Sequence, residues 1–296
     1  MCRQIVLIGN GRGLEGVRIP LIRSLVESSK FDPHSSKLFG PSDASHSDGW
    51  GFVRVVLTGN GVERISVERS LKPMYRDEWV RHIEEMKVPE NVGAVEMIHA
   101  RAASSGVVDV RTTHPIEVDT TRGYRLFLVH NGSVDKLELL KRLGIDGEGS
   151  YAKIYSDTYF LAQLMAQLID QDITREVIAD IATYTRTALN IGAILVKDRE
   201  VQVVAGSYYK VLDKPIERRN YYRLYRACRN SLILYSSSTL IDFYRPDLDL
   251  EWNEVPNGLF EIYRLKFDEK LRVEKVSELL VAASQSLCSG MLLDFK

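Results

Sequence analysis

The sequence of 296 residues has few cysteines and no long apolar run. Its three cysteines, Cys2, Cys228 and Cys288, are too widely spaced for a disulfide framework or a zinc pattern. No apolar stretch approaches the roughly 20 residues that span a bilayer, and the N-terminus lacks a signal-peptide pattern. The formal net charge of -1 provides no overall field that would attract nucleic acid. We therefore expect a cytoplasmic protein that binds neither nucleic acid nor membranes.

The chain also lacks internal repeats, low-complexity segments and any stretch that resembles a linker. Its hydrophobic content of 45% and charged content of 27% are ordinary for a globular protein with a packed core. These features predict that residues 1–296 form a single domain.

Short apolar runs separated by turn residues predict a mixture of strands and helices. Strands are expected over 4–8, 52–57, 62–67, 92–98, 124–129, 190–196, 201–206, 232–236 and 259–265, with a hairpin turn at residues 59–61 between the second and the third. Helices are expected up to residue 28, over 77–86 and 135–143, from 156 onward and over 174–187, with loops at 31–47 and 147–155. This order favours two sheets with helices outside them.

Gly11, Gly13 and Gly16 form a G-x-G-x-x-G pattern between a predicted strand and a predicted helix. A dinucleotide site also needs an acidic residue at the end of a second strand, about 20 residues further on. Asp32 lies near that distance, but residues 27–32 do not form an apolar strand, and Pro20 interrupts the helix or forces it to start late. A glycine-rich turn is the simpler interpretation, and we expect no cofactor.

A cysteine stands directly after the initiator methionine. Methionine aminopeptidases remove Met1 when residue 2 is small, which would leave Cys2 with a thiol and a free α-amino group. Such a residue is a nucleophile with its own base. The pKa of a free thiol is about 8.5 and that of an α-amino group about 7.7–8.0. Burial would lower the pKa of the amine further, so that a neutral amine could accept the thiol proton.

Four polar clusters lie at predicted strand ends or helix starts, where sites are commonly built. They are His46-Ser-Asp-Gly-Trp-Gly51, His99-Ala-Arg-Ala-Ala-Ser104, His130-Asn-Gly132 and Ser156-Asp-Thr158. Structural roles remain open for each. Asn131-Gly132 is a common hairpin turn, Arg101 could form a surface ion pair, and Asp157 could simply cap a helix.

Four of the six histidines, namely His46, His99, His114 and His130, fall within these clusters or between them. This concentration raises the question of a metal site. None of the four shows a zinc-ligand spacing such as H-x-x-x-H. We expect no metal and assign these histidines to structural hydrogen bonding.

The four clusters, together with Cys2-Arg3 and in this order, resemble the class II glutamine amidotransferases, which are N-terminal-nucleophile (Ntn) hydrolases. The start Met-Cys-Arg and the Asp-Gly-Trp-Gly sequence are most similar to the stand-alone members. The resemblance implies an α+β fold, a four-layer αββα sandwich with two mainly antiparallel sheets. Its catalytic motifs would occupy residues 2–158, and residues 159–296 would supply C-terminal strands and helices.

The resemblance also implies a mechanism, in which the Cys2 thiolate attacks the γ-amide of glutamine. Ammonia leaves, and water then releases glutamate from a γ-glutamyl thioester. Asn131 and the Gly132 N–H would form the oxyanion hole. Arg101, with help from Ser104, would bind the substrate α-carboxylate, and Asp157 the α-ammonium group. A supporting shell would comprise His46, Asp48, Gly49, Trp50, Gly51, His99, His114 and His130.

The substrate implied by the resemblance is L-glutamine or another γ-glutamyl compound. No synthase domain is expected in the sequence, so the ammonia acceptor would be a separate synthase partner; a homo-oligomer is also compatible. Two alternatives stay open: a hydrolase of another γ-glutamyl amide or peptide, and a non-catalytic glutamine-sensing module. Ala102 stands where sugar-phosphate-synthase members have Trp, so the pocket wall differs there.

Residues 217–229 contain five arginines and three tyrosines in a chain that is nearly neutral. Arg and Tyr are enriched at interface hot spots. The segment is therefore a candidate surface for a partner or for a larger substrate. The alternative is an amphipathic segment whose tyrosine rings pack on the body of the protein.

Overall fold

The computed structural model describes residues 2–103 and 107–281. Ser104 and Cys288 lie outside the described residues. The helices are α1 (Gly11–Glu15), α2 (Arg18–Lys30), α3 (Pro33–Phe39), α4 (Trp79–Glu85), α5 (Lys136–Leu143), α6 (Ser150–Ile154), α7 (Asp157–Leu168), α8 (Arg175–Ala182) and α9 (Pro215–Tyr222). Single helical turns also cover Pro41–Asp43, Met74–Arg76, Val110–Thr112 and Leu240–Tyr244. Within the described part of the chain, no helix is long and apolar enough to cross a membrane.

The strands form two antiparallel sheets within the described residues. They are β1 (Arg3–Asn10), β2 (Trp50–Thr58), β3 (Gly61–Ser70), β4 (Gly93–Ala100), β5 (Ile116–Asp119), β6 (Arg125–Val134), β7 (Thr185–Val196), β8 (Val201–Tyr209), β9 (Leu224–Arg229), β10 (Leu232–Ser237), β11 (Asn253–Glu254), β12 (Leu259–Phe267) and β13 (Leu271–Leu280). The first sheet has seven described strands in the order β11-β9-β10-β1-β4-β2-β3. The second has six described strands in the order β13-β12-β8-β7-β6-β5.

Strand β1 shows why the sheets stack with helices outside them. Ile5 and Leu7 pack into the core that contains Leu21 and Leu25 of α2. Val6 and Ile8, which alternate with them along the strand, point the other way, into the core between the sheets. Successive side chains of a strand face opposite sides.

The second sheet repeats this arrangement from its own side. Phe127 of β6 enters the core between the sheets, whereas the adjacent Leu128 packs with Phe160 of α7. The order of layers is therefore helix, sheet, sheet, helix. The expected α+β class and four-layer αββα architecture are confirmed.

The predicted hairpin at residues 59–61 is confirmed. Strand β2 turns into β3, with Thr58 paired to Gly61. Gly61 has a φ of +108°, and a Cβ built there would lie 2.5 Å from the carbonyl oxygen of Asp198. Both constraints favour glycine at this turn.

The loop predicted over 31–47 is wrong in part, because it contains α3. Asp32 starts this helix as its N-cap and accepts a hydrogen bond from the Ser35 N–H at 3.0 Å. Pro33 occupies the first helical position, where its missing N–H costs nothing. An Asp-Pro pair is a recognised helix start, but the abundance of turn-forming residues masked it.

Other boundaries also differ from the sequence-based expectations. The loop predicted over 147–155 contains α6, and the helix predicted over 174–187 ends at Ala182, before β7 begins at Thr185. Strand β6 runs on to Val134, so His130-Asn131-Gly132 lies inside a strand rather than after it. Asn131-Gly132 is thus not a hairpin turn, because its residues pair with β7.

The glycine pattern at residues 11–16 forms the short helix α1 and its cap. Asn10 caps this helix by accepting a hydrogen bond from the Gly13 N–H at 2.7 Å. A Cβ on Gly11 would lie only 1.8 Å from the carbonyl oxygen of Pro89. These glycines therefore permit a tight, closely packed helical turn, and Asp32 lies buried elsewhere, bonded to Arg3.

Candidate active site

Cys2 lies where the ends of the two sheets meet. It directly precedes β1, a central strand of the seven-stranded sheet. Its backbone N–H donates to the Oδ1 atom of Asn131, at 3.2 Å, on β6 of the other sheet. Only 7% of Cys2 is exposed. The contact joins two residues that are far apart in the sequence, and both were predicted site residues.

A small cleft opens beside the Cys2 side chain. It is lined by Cys2, Arg101, Ala102, Ala103, Thr112, His114, His130, Gly132, Ser156, Asp157 and Thr158. The cleft therefore collects residues from each of the predicted clusters except His46–Gly51. Its free volume is about 30 Å³, roughly the share of one water molecule.

The neighbours of Asn131 fix the orientation of its amide, and the neighbours of Gly132 leave no room for a side chain. The Oδ1 atom of Asn131 is occupied by Cys2, and its Nδ2 atom is buried without a hydrogen-bond partner among the described residues. Gly132 has a φ of +143°, and a Cβ there would lie 2.0 Å from the carbonyl oxygen of Ala188. A side chain at position 132 would therefore force the backbone of β7 to shift.

Arg101 and Asp157 bring opposite charges to the wall of the same cleft. The Nη1 atom of Arg101 is buried without a partner among the described residues. Asp157 begins α7, and its carboxylate accepts hydrogen bonds from the N–H groups of Val134 at 3.0 Å and Thr158 at 2.8 Å. A buried cation normally needs a partner. The open guanidinium is thus suited to an anionic group of a ligand.

The segment at Asp48-Gly49 holds the cleft wall in place. The Asp48 Oδ2 atom accepts from the Ala103 N–H at 2.7 Å. Arg101 is held through its backbone, because its N–H donates to the Gly49 carbonyl at 2.8 Å and its carbonyl accepts from the Asp48 N–H at 3.0 Å. Gly49 has a φ of +103°, and a Cβ there would lie 2.4 Å from the Ser70 carbonyl oxygen.

Trp50 and Gly51 continue this support one layer further from the cleft. Trp50 is fully buried, and its Nε1–H donates to the Asp77 carboxylate at 3.0 Å. A Cβ on Gly51 would lie 2.1 Å from the carbonyl oxygen of His114. Gly51 therefore allows the chain that carries His114 to pass close to β2. Neither residue lines the cleft.

Three of the predicted histidines form a buried chain beside Cys2. His130 contacts the Thr158 hydroxyl through Nδ1 and the Ala188 carbonyl through Nε2, both at 3.0 Å. The Nε2 atom of His99 lies 3.3 Å from the His130 carbonyl oxygen and 3.0 Å from Nδ1 of His114. Burial lowers the pKa of all three imidazoles, so they are neutral near pH 7.

A buried ion-pair network behind Cys2 was missed by the sequence reasoning. Asp32 accepts from the Arg3 Nε–H at 2.5 Å, from His46 Nε2 at 2.8 Å and from the Thr239 hydroxyl at 2.8 Å. Burial alone would raise the pKa of Asp32, but Arg3 and His46 outweigh it and hold this pKa far below its usual value. The carboxylate is therefore ionised and fixes the first residue of β1. Its only local signal was the Asp-Pro helix start.

The arginine- and tyrosine-rich segment 217–229 spans parts of α9 and β9. The guanidinium of Arg3 stacks on the Tyr221 ring, with its Cζ atom 3.8 Å from the ring centroid. The Tyr221 hydroxyl lies 3.5 Å from the Cys2 carbonyl oxygen. Tyr221 and Tyr222 are fully buried and are therefore closed to a partner.

Three arginines of this segment form ion pairs with acidic residues elsewhere in the chain. Ion pairs join Arg219 to Glu254, Arg223 to Asp242 and Arg226 to Glu261. A partner surface over residues 217–229 stays a prediction. It would have to use the outer side of the guanidinium groups.

The surroundings of Cys2 favour the protonated form of its thiol. Burial raises the pKa of the thiol above its usual value, although positive charges that include Arg101 act in the opposite direction. The Sγ atom lies 3.7 Å from the Ala102 carbonyl oxygen. A thiol with a raised pKa is protonated near pH 7 and becomes a nucleophile only when a base removes its proton.

No protein-family model matches the sequence, and no curated protein matches it either. The glutamine phosphoribosylpyrophosphate (PRPP) amidotransferase from B. subtilis, complexed with ADP and GMP, aligns with 93% of this chain at 18% identity and a TM-score of 0.52. The structure of an allosteric regulatory enzyme of purine biosynthesis aligns with 93% at 17% identity and a TM-score of 0.53. A predicted glutamine amidotransferase from Pseudomonas aeruginosa PA01 aligns with 93% of this chain and 96% of its own, at 12% identity and a TM-score of 0.35.

This chain covers 49% of the length of each of the first two proteins. Alignments at such low identity show a shared fold only. The chemistry has to be argued from the residues of the site. Both alignments extend over 93% of this chain, and so over the two antiparallel sheets and the helices outside them. The αββα sandwich described above is therefore a fold that this chain shares with these two proteins.

Proposed function

We propose that the protein is a glutaminase of the class II amidotransferase type, with Cys2 as its nucleophile. The proposal rests chiefly on the contact between the Cys2 nitrogen and Asn131 Oδ1 at 3.2 Å. This contact turns the Asn131 amide so that Nδ2 is the unused donor, next to a residue that carries a thiol. Donors beside a nucleophile are what an acyl-transfer site requires.

The charges of the cleft support glutamine or a related γ-glutamyl compound as the substrate. Such a molecule carries one anion and one cation on its α-carbon. Arg101 offers a buried Nη1 donor without a partner among the described residues, and its planar fork suits a carboxylate. Asp157 offers a carboxylate on the same cleft wall. The two ends of the amino acid would therefore be held by opposite charges.

The reaction proceeds through two tetrahedral intermediates. Once Met1 has been removed, the Cys2 amine accepts the thiol proton, and Sγ forms a bond to the carbonyl carbon of the γ-carboxamide while the carbonyl electrons move to oxygen. Asn131 Nδ2–H and the Gly132 N–H stabilise this oxyanion. The amine returns the proton to nitrogen as the C–N bond breaks, and ammonia leaves. Water then adds to the thioester, the C–S bond breaks, and glutamate and the free thiol are released.

Replacing Asn131 by Ala is expected to lower kcat for glutamine roughly 10²–10³-fold, the usual cost of losing one oxyanion donor. KM should change much less, because the oxyanion forms only near the transition state. Asn131→Asp is an informative second variant, since it keeps the acceptor for Cys2 and removes the Nδ2 donor. Steady-state ammonia release measures both. A normal kcat in either variant would show that Asn131 is not an oxyanion donor.

Replacing Arg101 by Ala is expected to raise KM for glutamine roughly 10- to 100-fold, in line with a charge-assisted hydrogen bond. The change in kcat should be smaller, because the carboxylate contact is made in the ground state and the transition state alike. Arg122→Ala is the matched control, since Arg122 is exposed and pairs with Asp170. A large fall in kcat at unchanged KM would contradict the assignment.

One observation favours a second candidate, hydrolysis of a larger γ-glutamyl compound. A cavity of about 220 Å³ is lined by Arg69, Arg111, Tyr155 and Tyr159, among others. It adjoins the cleft along the chain, because Arg111 and Tyr155 directly precede the cleft residues Thr112 and Ser156. The ratio of kcat/KM for γ-glutamyl peptides to kcat/KM for glutamine distinguishes the two candidates. A ratio well above one favours the hydrolase.

A further inference from the structure

We infer that Cys2, His99 and His114 form a binding site for a thiophilic divalent cation of the zinc type. Occupation of this site would hold the Cys2 sulfur and so silence the nucleophile. The binding site itself is independent of the proposed function, and only the inhibition rests on it. The inference goes against the expectation from sequence spacing, because folding brings together residues that no local pattern connects.

The two histidines of the cluster already have the spacing of tetrahedral metal ligands. Its three ligand atoms, one from each residue, all lie within 4.8 Å of one another, and all three residues are buried. Zinc–nitrogen bonds of 2.0–2.1 Å at tetrahedral angles place two ligand nitrogens about 3.3 Å apart. The Nδ1 atoms of His99 and His114 are 3.3 Å apart in this structure. The thiolate needs an S···N separation of about 3.6 Å, so the Cys2 side chain would have to move toward the two rings on binding.

The surroundings of His99 hold it as metal-bound histidines are usually held. Its Nε2 atom lies 3.3 Å from the His130 carbonyl oxygen. When Nε2–H donates to that carbonyl, the lone pair of Nδ1 points away from it and is available to a metal. A ligating histidine typically donates its other N–H to a carbonyl or carboxylate in this way.

One ring nitrogen of His114, Nε2, is buried and has no hydrogen-bond partner among the described residues. The Nδ1 atom, which would bind the metal, lies 3.0 Å from Nε2 of His99, and the cation would replace that contact. Cys2 and His114 border the cleft, so a cation that enters the cleft can reach two of the three ligands directly.

The charges limit which ion binds and how tightly. Two neutral imidazoles and one thiolate are the ligands that suit zinc and copper, whereas magnesium and calcium prefer oxygen. Binding exchanges the thiol proton for the metal, so that R–SH and M²⁺ give R–S–M⁺ and H⁺ without electron transfer. The Arg101 guanidinium lines the same cleft and opposes the cation, while Asp157 favours it. We therefore expect reversible binding rather than a permanent structural metal.

The test uses Co²⁺ as a spectroscopic probe and Zn²⁺ as its competitor on the full-length protein. We expect one equivalent of Co²⁺ per chain, with a thiolate-to-cobalt charge-transfer band that Zn²⁺ removes. Cys2→Ser should abolish the band. His114→Ala should weaken binding at least tenfold, the lower end of the loss seen even for outer-shell partners. Cys228→Ser and His82→Ala are matched controls at exposed positions and should bind like the unmodified protein.

Two further measurements keep the outcome unambiguous. His99→Gln provides a second ligand variant, and thermal melting shows which variants remain folded. A folded His114→Ala or His99→Gln variant with unchanged affinity, or no stoichiometric Co²⁺ binding at all, would overturn the site. A cobalt band without glutaminase activity would instead contradict the proposed function alone. Glutaminase activity that saturating Zn²⁺ leaves unchanged would refute the inhibition.

Discussion

Cys2→Ala is expected to abolish ammonia release from glutamine, with kcat/KM falling by about 10⁴-fold or more, as for other enzymes that lose their nucleophile. The physical reason is that no γ-glutamyl thioester can form without the sulfur. The substitution should leave the fold intact, because Ala is small and apolar at a position that is 7% exposed. Coupled detection of ammonia and of glutamate measures the loss.

Cys228→Ala is the matched control for this experiment. Cys228 is a free, exposed cysteine on β9, outside the cleft. Its replacement should leave kcat/KM within about twofold of the unmodified value, as is usual for a surface site away from the chemistry. Comparable activity in the Cys2→Ala variant would eliminate Cys2 as the nucleophile.

One extra residue before Cys2 is expected to reduce glutaminase activity by roughly 10²–10⁴-fold, the usual contribution of a general base. An amide nitrogen cannot take a proton from the thiol, whereas a free amine can. The thiol depends on that base because burial raises its pKa. Two preparations from a cleavable fusion provide the comparison: one begins at Cys2, and the other has a single glycine before it.

The two preparations differ by one residue, so their folding must be compared directly. Equal melting temperatures would show that the glycine changes the chemistry rather than the stability. Equal glutaminase activity would mean that the Cys2 amine is not the base. The base would then have to be sought elsewhere in the cleft.

The parts of the fold that follow from short-range patterns were predicted from the sequence. The continuous apolar run Ile5-Val6-Leu7-Ile8 indicates a strand, and the structure shows that it is buried on both faces. The glycines around Asn60 identify the turn of the first hairpin. In both cases the responsible interactions lie within a few residues, where sequence periodicity is informative.

The course of β6 was not predictable in the same way. Asn131-Gly132 has the composition of a turn, yet pairing with β7 keeps both residues in the sheet. The positive φ of Gly132 is used to pass close to Ala188 rather than to reverse the chain. Tertiary pairing thus outweighed a local preference, which no single-sequence pattern reveals.

Two buried clusters depend entirely on long-range contacts. Asp32 meets Arg3 and His46 only in the folded chain. The sequence offers it only as a poor candidate for the acidic residue of a dinucleotide site. His99 likewise meets Cys2 through the pairing of β4 with β1, and the chain just before β5 adds His114. Ligand-spacing rules describe sites within one loop or helix, so they miss a cluster of this kind.

The central claim is that a processed Cys2 is the nucleophile, and intact-mass spectrometry tests it most directly. Active protein would be measured before and after reaction with a glutamine-like electrophile, and the adduct would be located by peptide mapping. The account predicts a chain without Met1 that gains one adduct, on Cys2, with loss of activity in proportion to labelling. Fully active protein that retains Met1, or an inactivating adduct on any other residue, would contradict it.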